Sequence, residues 1–134
     1  MQTVLVVDDE WAVLSAIEQT LEGFTCRLIT TTNPHQVLRI LAAGEAIDLL
    51  ITDIFMPIMD GETLLRKSRR LRPGLKVILT TGAASDQKLR EWRARREVII
   101  SKPWLDEDFL TAVESALNVK PGDVTQQRDL YDDQ

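Results

Sequence analysis

Leu49-Leu-Ile-Thr-Asp-Ile-Phe-Met-Pro-Ile-Met-Asp-Gly61 begins as an apolar run, closes that run at Asp53, and turns at once through Met56-Pro57 and Asp60-Gly61. A short continuous apolar run bounded by turn residues reads as a strand buried on both faces. Asp53 then stands at the C-terminal end of an interior strand, where an unpaired charge is costly to bury. Its position calls for compensating groups elsewhere in the chain.

Similar runs recur on both sides. Thr3–Val7, Cys26–Thr30, Ile47–Thr52, Lys76–Thr80 and Val98–Ser101 read as strands. Apolar residues at helical spacing separate them. Trp11, Val13, Leu14, Ile17 and Leu21 mark a first helix, with Gly23 as its stop. Asn33 caps a second, Pro34 takes its first position, and Val37, Leu38, Leu41 and Ala42 form its apolar face before Gly44. A third, from Gly61 to Leu71, buries Leu64, Leu65, Ser68 and Leu71 and turns Arg66, Lys67, Arg69 and Arg70 outward. The fourth, Asp86 to Arg96, is mostly polar, with Leu89 and Trp92 as its apolar positions. The last is capped by Asp106 and runs to about Asn118, with Phe109, Leu110, Val113, Ala116 and Leu117 inward. Five strands alternating with five helices imply an α/β sandwich on a parallel sheet.

The chain has 134 residues, enough for one domain with a real core. Hydrophobic residues are 44% and charged residues 28%, the balance of a soluble globular protein. No apolar run approaches the ~20 residues needed to span a bilayer. The N-terminus lacks a basic region and meets acids early, so no signal peptide is expected. Cys26 is the only cysteine, so no internal disulfide forms, and a reducing, cytoplasmic setting is expected. The formal net charge of -5 argues mildly against nucleic acid as the main partner while leaving room for a local basic face, and neither direct nucleic-acid nor membrane contact is expected. Residues 1–119 are expected to form the domain, and 120–134 a polar, acidic, mobile tail.

In an open parallel sheet, ligands bind at the carboxyl ends of the strands. The first strand ends in Asp8 and Asp9, the third in Asp53, the fourth in Thr81 and the fifth in Lys102. Three neighbouring carboxylates repel one another unless cations intervene. Lys102 supplies one positive charge, and a hard divalent cation such as Mg²⁺, bound by carboxylate oxygens and water, supplies the rest. Such a site suits attack by an aspartate on a phosphoryl group, with the Thr81 hydroxyl and Lys102 receiving the oxygens.

These residues carry a resemblance. Val6-Val-Asp-Asp-Glu10, Asp53 with Met56-Pro57 and Asp60-Gly61, Thr81-Gly82 and Lys102-Pro103 occur in order at successive strand ends. Over about Val4 to Leu117 the chain resembles the receiver domain of two-component response regulators. The resemblance implies a flavodoxin-like (βα)5 fold with strand order 2-1-3-4-5. It implies phosphorylation of Asp53 and Mg²⁺ bound directly by Asp9 and Asp53, by Asp8 through water, and by the Phe55 backbone carbonyl. Thr81 would contact the phosphoryl group. Lys102 would pair with Asp53 beforehand and with the phosphate afterwards, and the Lys102–Pro103 peptide would be cis. The phosphodonor would be a sensor histidine kinase or a histidine phosphotransfer protein. Output would pass through the helix 4–strand 5–helix 5 face to a partner protein or to a second copy of the chain. The short segment after the last helix holds no output domain, so a stand-alone or excised receiver is expected.

Three departures from the family pattern are visible. Ile99 stands where receivers usually carry Tyr or Phe, three residues before the lysine. The segment Arg93-Ala-Arg-Arg-Glu97 lacks the family's usual glycine turn, so the fourth helix is expected to be irregular or extended, with Trp92 and its arginines as a docking surface for an acidic partner. Phe55 and Ala83 flank the phosphate position with apolar side chains, so slow self-dephosphorylation is expected. Two rival readings stay open: a degenerate receiver that binds without phosphorylation, and a Mg²⁺-dependent aspartyl-phosphate phosphohydrolase. The second wants an acid two residues after the nucleophile, where Phe55 stands. His35 reads as a solvated first-turn residue, Cys26 as core, and Trp104 as packing.

Overall fold

The computed structural model describes residues 1–82 and 85–118. Ala83 and the expected tail, 120–134, lie outside the described residues. The elements are β1 (Gln2–Val7), α1 (Trp11–Thr20), β2 (Cys26–Thr31), α2 (Pro34–Ala42), β3 (Leu49–Asp53), α3 (Gly61–Leu71), β4 (Lys76–Thr81), α4 (Asp86–Ala94), β5 (Val98–Ser101) and α5 (Asp106–Leu117). The strands form one sheet in the order β2-β1-β3-β4-β5, every pair parallel. This is the expected flavodoxin-like architecture.

The continuous apolar strands are buried because the sheet is covered on both faces. On one side, Val4, Val6, Leu49, Ile51 and Ile78 pack under α1 and α5 through Leu14, Ile17, Phe109 and Val113. On the other, Leu5, Val7, Leu50, Val77 and Leu79 pack under α2, α3 and α4 through Val37, Leu41, Leu64 and Trp92. The alternation of each strand's side chains thus feeds two cores. No helix among the described residues is long and apolar enough to cross a membrane.

Local chemistry sets the helix ends. The Asn33 side chain accepts the His35 N–H, and Pro34 sits at the first position of α2. Asp60 caps α3 by accepting the Thr63 N–H at 2.7 Å, and this bond holds its carboxyl below the usual range. The Arg72 guanidinium donates to the Leu41 and Glu45 carbonyls, closing the far end of α2.

Several expectations need correction. Trp11 opens α1 but is 67% exposed; the helix meets the core through Val13, Leu14 and Ile17 instead. Leu71 and Ala42, each the last residue of its helix, lie past the core and are exposed. Asp106 does not cap α5. Leu105 holds that position without a side-chain bond, and Asp106 accepts from the Thr20 hydroxyl at 3.2 Å instead. Arg69 is not simply solvated, since it forms a two-bond pair with Glu97 at 2.6 and 3.0 Å. Trp92 is buried in the second core, so it cannot be a surface docking residue. Trp104 does pack, against Phe109 with centroids 4.8 Å apart.

α4 is neither irregular nor extended. It ends at Ala94 in a Schellman arrangement: Arg96 N–H donates to the Arg93 carbonyl and Glu97 N–H to the Trp92 carbonyl. Arg96 takes the left-handed position with φ 64°, where glycine is the usual choice. The glycine-free connection closes because an arginine accepts that conformation.

Gly61 is where α3 meets the strand that carries Asp53. Its N–H donates to the Ile54 carbonyl at 2.7 Å. A Cβ there would collide with the Asp53 carbonyl oxygen and lie 2.7 Å from the Ile54 Cα. Gly61→Ala should therefore cost about 1–3 kcal/mol of stability. At Gly74 a Cβ would meet nothing within 4 Å, so alanine should be accepted there with no loss or a gain of up to about 1 kcal/mol. Denaturant unfolding of both variants checks this, and equal effects at the two positions would contradict the close-packing account.

Candidate functional site

Parallel strands bring their carboxyl ends to one edge, and the singled-out residues gather there. Asp53 is the last residue of β3 and Thr81 the last of β4. Asp8 and Asp9 follow β1, and Lys102 follows β5. β3 lies between β1 and β4, so both neighbouring strands deliver polar groups beside Asp53. Lys102 is anchored by its own backbone N–H, which donates to the Thr81 carbonyl at 2.7 Å. The Lys102–Pro103 peptide is cis, as expected.

The Lys102 ammonium donates to Asp8 Oδ2 at 3.0 Å and to Asp53 Oδ2 at 3.3 Å. The sequence pattern suggests a pair with Asp53 alone. Asp8 is fully buried, and its other oxygen accepts the Glu10 N–H at 2.9 Å. That bond forms the turn into α1, so Asp8 has a structural task beside any ligand role. Asp9 is exposed. One carboxylate oxygen from each of Asp8, Asp9 and Asp53 lies within 4.8 Å of the others. Phe55 is exposed, and its backbone N–H bonds to the Asp53 carboxylate. Thr81 is buried at its strand end.

The electrostatics follow from burial. Desolvation pushes the Asp53 carboxyl above its ordinary value, the Lys102 charge opposes this, and the Asp8 charge adds to it. Burial works to lower the Lys102 ammonium, but its bonds to Asp8 and Asp53 outweigh that and hold it above its ordinary value. One lysine among three carboxylates therefore leaves the cluster short of positive charge.

Sequence reading assembles every one of these residues at a strand end. It misses the Gly61 approach, whose signal is the Asp-Gly pair, readable only as a turn. It also misses the Asp8–Lys102 pair, because two adjacent acids give no hint of which one points inward.

Comparison with known proteins gives the family and the fold. Residues 4–114 match the response regulator receiver domain family. The chain is 32% identical over 117 residues to the sensor kinase CckA of Brucella abortus (strain 2308), covering 86% of this chain and 12% of that protein. It is 30% identical over 124 residues to the DNA-binding transcriptional regulator NtrC of Azospirillum brasilense, covering 87% of this chain and 24% of that protein. It thus spans a minor part of the length of either relative. The crystal structure of a response regulator receiver domain protein (CheY-like) from Methanospirillum hungatei JF-1 superposes with a TM-score of 0.78 at 30% identity, over 88% of this chain and 94% of that one. With the family match and the strand order in agreement, the chain belongs to the response regulator receiver domain family of two-component signalling.

Proposed function

We propose that Asp53 is the phosphoacceptor of this receiver and takes a phosphoryl group from the phosphohistidine of a sensor histidine kinase or a histidine phosphotransfer protein. The observation that carries the reading is the Lys102 ammonium, 3.0 Å from Asp8 and 3.3 Å from Asp53, beside a third carboxylate at Asp9. A carboxylate oxygen of Asp53 attacks phosphorus and forms a P–O bond. The P–N bond breaks, its electron pair stays with the imidazole nitrogen, and that ring takes up a proton. The product is an acyl phosphate. Lys102 follows the charge onto the phosphoryl oxygens, and the Thr81 hydroxyl at the adjacent strand end donates to one of them.

Receiver domains bind Mg²⁺ through acidic residues, and the donor set here fits a hard cation: three carboxylates, each offering one oxygen of a cluster within 4.8 Å. In this reading Asp8, Asp9, Asp53 and the Phe55 backbone carbonyl are the groups that would hold the ion. When bound, Mg²⁺ supplies the positive charge that Lys102 alone does not.

Trp11, Phe55, Ile58 and Leu105 are exposed apolar residues on segments that leave this same sheet edge. They form a rim suited to an apolar helical surface on the phosphodonor. Output to a partner protein, or to a second copy, uses the α4–β5–α5 face. Ile99 is half-buried there against the core that contains Trp92. It can repack but has no ring to rotate. The domain acts in the cytoplasm as a signalling phosphoacceptor and not as a turnover enzyme.

Incubation with Mg²⁺ and acetyl phosphate should add one phosphoryl mass at Asp53, and Asp53→Asn should show none. Lys102→Ala should slow the addition by about 100-fold. An adduct mapped elsewhere, or one that survives Asp53→Asn, overturns the assignment. Phe55 offers no hydrogen-bonding side chain to orient a hydrolytic water, so the acyl phosphate should decay at the slow end of the receiver range. Phosphate release timed after donor removal measures this, and rapid loss contradicts it.

Burial holds the Asp53 carboxyl above 3.8. Its ionisation therefore costs stability as pH rises through the folded pKa, and the cost is absent below 3.8. In metal-free buffer, Asp53→Asn should unfold at a higher temperature than the parent at pH 7. The gap should shrink as pH falls. Thermal unfolding across pH tests the sign, and a gap that widens on acidification refutes it.

A further inference from the structure

The opposite end of the sheet carries the opposite charge. Eleven of the sixteen Lys and Arg residues lie between Glu62 and Glu97, against four of the 21 acids. The net charge of -5 therefore hides a basic region on α3, α4 and their connections to β4 and β5. Some of these cations are spoken for. Arg69 pairs with Glu97, Arg95 approaches Glu62 at 3.5 Å, and Arg72 caps α2.

Others are not. A groove of about 1020 Å³ runs along the outer edge of β5 and onto α5, where Asp108 lines it; where β4 and β5 begin it is lined by Arg69, Lys76, Arg93, Arg96 and Val98, with Glu97 there taken up by Arg69. Lys76, Arg93 and Arg96 are exposed and pair with no carboxylate among the described residues. Val98 adds a 45% exposed apolar side chain beside them. Arg96 holds its place at φ 64°, a conformation that disfavours any residue with a Cβ. A guanidinium kept where glycine is cheaper, next to two further unpaired cations, is a local cost without a structural return.

We propose that this notch at the start of β4 and β5 is a docking site for a short acidic segment of a partner protein, engaged whether or not Asp53 is phosphorylated. Arg93 and Arg96 present planar forks that match carboxylates two bonds at a time, and Lys76 adds a point charge. Val98 receives an apolar side chain set between the acids. Arg69, fixed by Glu97, walls the notch and limits it to a few residues. A nucleic acid is the poorer fit. A polyanion tracks an extended basic stripe, whereas this patch is short and the remainder of the chain is strongly acidic. The notch belongs to the α4–β5–α5 face, so the proposal rests on the output reading given above and names the chemistry of its partner; it lies at the sheet end away from Asp53 and stands apart from the phosphoacceptor reading.

The test is a titration of ¹⁵N-labelled protein with the end-blocked peptide Glu-Leu-Glu-Glu-Leu-Glu, followed by amide shifts at low and high salt. Shifts should centre on Lys76, Arg93, Arg96 and Val98, weaken with salt, and persist in Asp53→Asn. Arg93→Glu should weaken binding at least tenfold. Arg96→Gly separates binding from folding: it relieves the backbone and should raise the unfolding temperature while weakening the peptide severalfold. Unchanged binding in both variants overturns the proposal, as do shifts centred on Arg66 and Arg70 or on the Asp53 edge. Tighter binding of a single-stranded oligonucleotide of equal charge, mapped to the same notch, would replace the acidic segment with nucleic acid.

Discussion

The Lys102 ammonium stands between two buried carboxylates, Asp8 and Asp53, and much of the fold is arranged around keeping it there. Removing Lys102 leaves two buried carboxylates uncompensated, which is costly, whereas removing the Asp53 charge leaves Lys102 paired with Asp8. Here the arrangement is also unbalanced, because burial and Asp8 raise Asp53 against the pull of Lys102. A site that is not fully neutralised has room for further positive charge, or for a chemical step that moves charge outward. The strand order delivers this geometry. β5 is separated from β3 by β4, and the Lys102 side chain reaches Asp53 from a backbone tied to Thr81 at the end of β4.

The same edge shows how close packing supports charge placement. Asp60 and Gly61 act together. The Asp60 carboxylate caps α3, and the missing side chain of Gly61 lets that helix start against the Asp53 and Ile54 backbone. A helix starting one side chain farther away would leave the end of β3 loosely supported. Asp53 would then be free to turn toward water, and its interaction with Lys102 would fall in an environment of higher dielectric. Precision at the carboxylate thus depends on a glycine eight residues later in the chain.

The strands and their terminal polar residues are legible because parallel-sheet burial leaves a simple trace. Val4 to Val7 and Leu49 to Ile51 are unbroken apolar runs, and the polar residues that close those runs lead into the site. Helix faces are less legible at their ends. Trp11 and Leu71 keep helical spacing but are exposed at a helix end, and periodicity carries no information on where the partner surface stops. Trp92 misleads for a related reason. In a helix with so few apolar residues, its arginine neighbours obscure the side chain that, with Leu89, anchors α4 to the core. The end of α4 is illegible because the expected glycine is absent and an arginine takes its backbone conformation.

That last substitution bears on how a small receiver separates its tasks. The phosphoacceptor edge needs acids and one lysine, and any further cations nearby would compete with Lys102 or with a metal for the same carboxylates. Across the sheet no such constraint applies. Strand length sets the spacing: β4 places Lys76 and Thr81 at the opposite ends of a parallel strand of six residues. Coulomb attraction falls with that separation, and the arginines, being exposed, have their charge moderated by water and salt. Arginines at the start of β4 and β5 can therefore be strongly cationic without disturbing the carboxylate cluster. The sheet insulates one charged surface from the other, and a recognition surface can change at the basic end without altering the chemistry at Asp53.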